Sequence, residues 1–301
     1  MTRKSDNVVV RQMHPSDVET VMQIKNAENW NQTEKDWLFL MSHSPDSCLV
    51  ACINSEVVGT VTGLNYGNQL AWVGMMLVSK EFRGLGVSKI LLNTLIEKLK
   101  DCKSIKLDAV PTGVSIYKKL GFVEEYEICR MTTVDMKHIN TDFYHGDHLR
   151  KKKTKAVMTM LPITESSLVK VSQIDEELYG VNRIALFKFL LKEQRSSCWE
   201  IREDDFVKGY VFGRKGSKYL QVGPVLAQGE HNVKNLLMQV FKSFVGRPLV
   251  VDVLMRKKEI IDWLVSLGFE DQRRFVRMYL NSNNRPGNLD NQYLISGPEL
   301  G

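Results

Sequence analysis

The sequence predicts an α/β (α+β) protein of two similar units, each a mixed, mostly antiparallel sheet flanked by helices. Three observations carry that expectation. Trp72 to Val78 is an apolar run short enough for a buried strand. After the loop Arg83-Gly-Leu-Gly-Val-Ser88, apolar residues recur at Ile90, Leu91, Leu92, Leu95, Ile96 and Leu99, the spacing of one helix face. Cys48–Ile53 and Glu56–Thr62 flank Asn54-Ser55, a hairpin pattern with a turn of known mechanism. The pattern then returns: Leu120-Gly-Phe122 and Leu267-Gly-Phe269 each precede a strand, and Gly59 and Gly209 fall at a similar offset within strands. Duplication of one fold is the simplest account, and 301 residues suit two domains of about 150 each.

In chain order, Val8–Met13 reads as a first strand and His14–Asp17 as a turn into a helix capped by Ser16 or Asp17, with Val18, Val21, Met22 and Ile24 inward. Ala27–Leu38 mixes polar and aromatic residues, as site-lining loops do. The hairpin and Gln69–Val78 form a meander, and Ser104–Val110 reads as the strand after the helix. Pro111–Gly113 turns the chain into a short helix stopped at Gly121, and Phe122–Thr132 is a strand. Residues 1–136 form the first domain, 137–155 a basic polar linker and 156–301 the second domain. In the second, Val169, Ile174 and Leu178 mark one helix and Arg183–Leu191 another. Ser197–Ile201 and Phe206–Phe212 form a hairpin, and Tyr219–Leu226 repeats the Trp72–Val78 strand. A last strand, Tyr293–Gly301, follows a turn at Arg285–Asn288.

The loop at Arg83 is where chemistry is expected. Small residues at a helix start let several backbone N–H groups point at one external group, and with the positive end of the helix they form an anion site. Arg83 adds a fork of charged donors suited to phosphate, so the inferred ligand is a pyrophosphate. The spacing is neither that of a P-loop nor that of a dinucleotide-binding Gly-x-Gly-x-x-Gly.

Composition narrows the class. No apolar run approaches the roughly 20 residues of a membrane helix, and Met1–Asp6 leads into no signal-peptide segment; the expected location is the cytoplasm, with the nucleus as alternative. Five cysteines, Cys48, Cys52, Cys102, Cys129 and Cys198, are odd in number and scattered, so neither disulfide nor metal is expected. His145 and His148 lie on no recognisable ligand frame. The net charge of +6 helps attract an anionic ligand. The basic run Arg150–Lys155 has no interleaved aromatics and reads as solvated linker, not a nucleic-acid surface.

Two motifs together resemble the GNAT superfamily of N-acetyltransferases. Arg83 and Gly86 match its Arg/Gln-x-x-Gly-x-Gly/Ala loop, with Ser88 departing from the last position. About 30 residues on, Tyr117 stands three residues before Leu120-Gly-Phe122. The resemblance covers nearly the whole chain as two tandem GNAT folds. It implies acetyl-CoA as co-substrate, with pantetheine along Met76, Leu77 and Val78 and pyrophosphate on Arg83, Gly84, Leu85, Gly86, Val87, Ser88 and Lys89. An amide of that strand would stabilise the oxyanion, Tyr117 would protonate the departing thiolate, and Trp30 and Asn31 would contact the substrate. Ring packing is the structural alternative for Tyr117, as core packing is for Trp30 and Trp37. For a general base, Glu28, Glu34, Asp36 and Asp108 are candidates, as is solvent; Asp108 equally suits turn capping.

The second copy departs where chemistry is expected. Ala227–Asn232 replaces the glycine loop, Glu230 would repel a diphosphate, and Trp263 stands roughly where Tyr117 does. One cofactor site, in the first half, is expected, and the second half is a degenerate GNAT-like domain. The expected activity is acetyl transfer to a primary amine of a small molecule. The alternatives are a protein or peptide acetyltransferase, or a CoA-binding regulatory module. Neither membrane nor nucleic acid is an expected partner, and the sequence leaves the oligomeric state open.

Overall fold

A computed structural model describes residues 8–135, 158–283 and 287–301. The linker expected at 137–155, with His145, His148 and the basic run, lies outside them, as does part of the Arg285–Asn288 turn. The first half runs β1 (Val9–Gln12), α1 (Val18–Ala27), α2 (Glu34–His43), β2 (Cys48–Ile53), β3 (Glu56–Tyr66), β4 (Leu70–Val78), α3 (Val87–Lys98), β5 (Ser104–Ala109), α4 (Val114–Lys119) and β6 (Val123–Thr133). The second repeats that order: β7 (Met158–Pro162), α5 (Glu165–Tyr179), α6 (Ile184–Glu193), β8 (Trp199–Glu203), β9 (Phe206–Lys215), β10 (Leu220–Ala227), α7 (Glu230–Lys242), β11 (Leu249–Leu254), α8 (Lys258–Ser266) and β12 (Glu270–Asn281). It adds β13 (Gln292–Leu294). Among the described residues no helix is long and apolar enough to cross a membrane.

Two local expectations are corrected. The stretch read as a loop to Leu38 is helical from Glu34, because Thr33 and Asp36 form a capping box: Thr33 N donates to Asp36 Oδ2 at 2.6 Å. The last strand ends at Leu294 instead of running to Gly301. There Gly297, at φ 128°, folds the chain back so that Ser296 N donates to Gly301 O at 2.9 Å.

All the strands join one sheet, ordered β1-β2-β3-β4-β5-β12-β6-β11-β13-β10-β9-β8-β7. It is mostly antiparallel; β4–β5 and β10–β11 are the parallel ladders among the described residues. The two halves exchange strands. β12, from the second half, lies between β5 and β6, and β6, from the first, pairs with β11 of the second.

Each exchange carries the same cross-strand ion pair. Asp108 of β5 faces Arg277 of β12, and Asp252 of β11 faces Arg130 of β6. Side chains alternate across the sheet. Leu49 and Ala51 pack under α3, whereas Val50 and Cys52 join a core shared by Trp37 and Leu40 of α2 with Leu186 and Phe187 of α6. Leu91, Leu92 and Leu95 fix α3 to the sheet, each burial contributing ~1.5–3 kcal/mol. The helix comes close because β3 carries Gly63, where a Cβ would meet the Leu95 and Leu99 methyls at 3.1 and 3.0 Å.

Candidate active site

β4 and β5 run parallel only where Ala71–Val73 faces Ile105–Leu107. They then diverge. Thr62 pairs with Gly74 and Thr60 with Leu77, so Met75 and Met76 together face Val61, a bulge that bends the strand. Met75 takes φ 49°, and the buried Thr60 hydroxyl donates to its carbonyl at 2.6 Å. The wedge so opened is a groove of about 720 Å³ lined by Met76, Leu77, Val78, Arg83, Gly84, Gly86, Val87 and Ser88. Leu85 instead packs against the core beneath α3, and Lys89 is exposed outside the groove lining.

Gly84 and Gly86, both at φ 80°, curl the loop so that α3 opens at Val87 with no side chain capping it. Its first amides therefore keep their capacity for an external anion. Arg83 does not stand open: Nη2 donates to Glu28 Oε1 at 2.6 Å and Nε to Val78 O at 3.0 Å. The pair is partly exposed, and such pairs contribute at most about 1 kcal/mol, so a phosphate can displace it.

The groove adjoins a smaller cavity of about 140 Å³, the two sharing Trp30, Met76, Val110, Gly113 and Arg273. Tyr117 lines this cavity from α4, its ring edge-on to Phe122 with centroids 5.9 Å apart. Burial pushes its phenol up to about 12. The far walls come from the second half: Phe275 and Arg273 of the exchanged β12, and Pro298 and Glu299 of the closing segment.

Several expected site residues have other occupations. Asn31 is a clasp between the halves: its Oδ1 accepts from Lys218 N and Tyr219 N at 3.0 and 2.9 Å, and its Nδ2 donates to Tyr219 O at 3.2 Å. That commits Oδ1 and one Nδ2 N–H to the clasp, and Asn31 lines neither the groove nor the cavity. Asp108 lines the cavity but accepts both Nε and Nη2 of Arg277, at 2.9 and 3.0 Å, with its side chain fully buried. Burial pushes its carboxyl above the usual range, yet the counterpart Asp252–Arg130 pair marks the arrangement as one that joins strands. As bases, Asp36 is taken by Thr33 and Arg214, Glu28 by Arg83, and Glu34 lies exposed outside both linings. Trp30 lines both spaces and also packs on the shared core.

Among the described residues the second half has no equivalent wedge. β10 and β11 are parallel over Leu220–Val222 and Leu249–Val251, and where they diverge β13 fills the gap, pairing with both. Trp263 stacks on Phe241 in the core, centroids 6.4 Å apart. Glu230, opening α7, hydrogen-bonds Glu259, which raises its carboxyl; two such groups disfavour an anion.

Sequence reasoning missed Gln32, Arg273, Phe275 and Glu299. Only Gln32 lay in a flagged stretch; nothing local marks the others. All five cysteines are free and buried, and among the described residues no cluster of His, Cys, Asp or Glu could hold a metal ion.

Comparison with known proteins gives the same architecture. Residues 16–122 match the acetyltransferase (GNAT) family and residues 171–294 an acetyltransferase (GNAT) domain. An acetyltransferase of Pectobacterium atrosepticum is 33% identical over 123 residues, 38% of this chain and 82% of that protein. The holothin acyltransferase of a Pseudoalteromonas species is 25% identical over 292 residues, 93% of each chain. A crystal structure of a Pyrococcus horikoshii protein described as an acetyltransferase shares the fold, with TM-score 0.77 at 21% identity, covering 98% of this chain and 96% of that one. With the wedge of β4 and β5, the uncapped start of α3 and a domain match in each half, the chain belongs to the GNAT acetyltransferase family as a tandem-domain member.

Proposed function

We propose that the protein moves an acetyl group from acetyl-CoA to the primary amine of a small molecule, by direct attack in a ternary complex. The observation that carries the reading is the small, mostly apolar pocket that adjoins the groove. Walls from the second half narrow it to about 140 Å³, which suits a compact acceptor better than a peptide. Acetyl-CoA would lie in the groove as co-substrate, its pyrophosphate on the loop from Gly84 to Ser88 with Arg83 turned from Glu28, and its pantetheine extended along Met76–Val78. The thioester then reaches the bulge, where a β4 amide would stabilise the oxyanion, a contribution of about 3–4 kcal/mol by analogy with other oxyanion holes.

The amine would attack from the cavity, held in contact so that no encounter entropy remains in the chemical step. Tyr117 stays protonated across the working range, its phenol raised to about 12. A thiol titrates near ~8.5, so outright transfer from Tyr117 is uphill by roughly 3–4 pH units, about 5 kcal/mol. The phenol therefore hydrogen-bonds the departing sulfur and relays to it, in concert, a proton from the nitrogen, which is acidic while it carries positive charge.

Calorimetric titration with acetyl-CoA tests the reading first. One site per chain is expected, followed by thiol release with compact amines and none with lysine peptides. Absence of binding, or turnover confined to peptides, overturns it.

A further inference from the structure

The acceptor's amino group must lose a proton before it attacks, and none of Glu28, Glu34, Asp36 and Asp108 is free within the cavity to take it. Two other cavity residues have unused oxygens. Glu299 Oε2 and Gln32 Oε1 are buried without a hydrogen-bond partner among the described residues, and their residues are only 2% and 5% exposed. Buried acceptors are normally satisfied, so each exception calls for a reason. Both lie on the cavity that adjoins the groove, and both lack what an amine supplies, an N–H.

The position of Glu299 is built. Its backbone lies on Gly74, the residue before the β4 bulge, where a Cβ would fall 2.7 Å from Glu299 Cα. Trp72 Nε1 donates to Pro298 O and Tyr66 Oη to Leu300 O, each at 2.9 Å, clamping the segment on either side. Arg214 of β9 holds Oε1. The charged groups facing the carboxylate are Arg214, Asp36 of α2 and Arg130 of β6.

Resting on the acetyltransferase reading, we infer that Glu299 and Gln32 receive the acceptor's amino group, with Glu299 as its base, and that the acceptor is an apolar primary amine about the size of a benzene ring. The cavity volume, about 140 Å³, is close to the ~150 Å³ that admits benzene, and Val73, Met75, Leu107 and Phe275 give it apolar walls. The ammonium gives one proton to the Glu299 carboxylate, and the nitrogen lone pair forms the C–N bond as the C–S bond breaks. The departing sulfur takes the nitrogen's second proton, relayed in concert through the Tyr117 hydroxyl so that no phenolate forms. Glu299 then releases its proton to solvent. Burial holds this carboxyl above its ordinary range, as a base for an ammonium requires.

The test uses the full chain with benzylamine and benzyl alcohol, which fit the cavity and differ in the amine. Titrated without acetyl-CoA, the wild type is expected to bind benzylamine at least about tenfold more tightly than the alcohol, as a hydrogen bond to a charged group gives. Glu299→Gln should abolish that preference, and Gln32→Met, outside the ion-pair network, should reduce it about threefold or more while acetyl-CoA affinity holds. In thiol release, Glu299→Gln should lower benzylamine kcat/KM at least about thirtyfold and move the acidic limb of its pH profile up to the titration of the amine itself, whereas a purely structural role would leave that limb where it is. Equal binding of the two probes, no binding of benzylamine, or an unchanged preference in both variants overturns the inference. Loss of acetyl-CoA binding by the wild type overturns the underlying activity instead and leaves the benzylamine titration readable.

Discussion

Asp108 and Arg277 face each other across the strands the two halves exchange, 2.9 and 3.0 Å apart at both ends of the guanidinium, with both side chains out of water. Arg277 also lies over the Trp72 ring, 4.4 Å from its centroid. Arg277→Met should strand the Asp108 carboxylate and cost about 3–5 kcal/mol. Urea unfolding of Arg277→Met and of Asp108→Asn/Arg277→Met checks this: the double variant should recover much of the loss, and an additive loss would show that the pair is uncoupled.

Arg83 is held by Glu28 in the groove that the cofactor would enter. Arg83→Ala should weaken acetyl-CoA binding by about 1.5–3 kcal/mol, the worth of a charged hydrogen bond. Glu28→Gln should do the opposite, tightening it by up to ~1 kcal/mol as the exposed pair is released. Titration of each variant decides; weaker binding in both would mean that Glu28 itself positions the cofactor.

Tyr117→Phe should leave acetyl-CoA affinity within about twofold and lower kcat at least about tenfold, the low end of general acid–base contributions being ~100-fold. The raised phenol sets the pH sign. The folded state keeps its proton up to about 12, whereas an unfolded tyrosine loses it near ~10, so this contribution to stability is present below pH ~10 and fades toward pH 12. Between pH 7 and 10 the wild-type kcat should accordingly show no falling limb traceable to Tyr117. A limb present in wild type and absent in Tyr117→Phe contradicts the assignment.

Burial pushes the Cys48 and Cys198 thiols up to about 12, so the reactive thiolate is about 1 part in 10,000 at pH 8. Ellman's reagent should label neither within minutes on the native protein, and all five cysteines after guanidinium unfolding. Mass spectrometry that finds early label on Cys48 or Cys198 would show that these cores open readily.

The elements were legible in the sequence where their cause is local. The periodicity from Ile90 to Leu99 gave α3, and the turn at Asn54-Ser55 gave the hairpin. The strand exchange was not, because β6 and β12 each bring an arginine, Arg130 and Arg277, suited to either aspartate; only the closed sheet decides which pair forms. The stretch around Trp30 was flagged as site-lining, and Trp30 and Gln32 do line the cavity. Asn31 between them is claimed by a loop nearly 190 residues away. Glu299 carries no motif at all; what distinguishes it is the Gly74 surface on which it lies.

The exchanged strands also set a timetable. When β5 and β6 leave the ribosome, the strand that belongs between them, β12, has yet to be made. At ~5–20 residues per second, the roughly 150 residues from Thr133 to Asn281 take about 7–30 s to appear. Through that interval the edge of β5 stays unpaired, the kind of edge that recruits strands from other chains. Slowing its synthesis should therefore increase aggregation, read as the insoluble fraction, instead of improving yield.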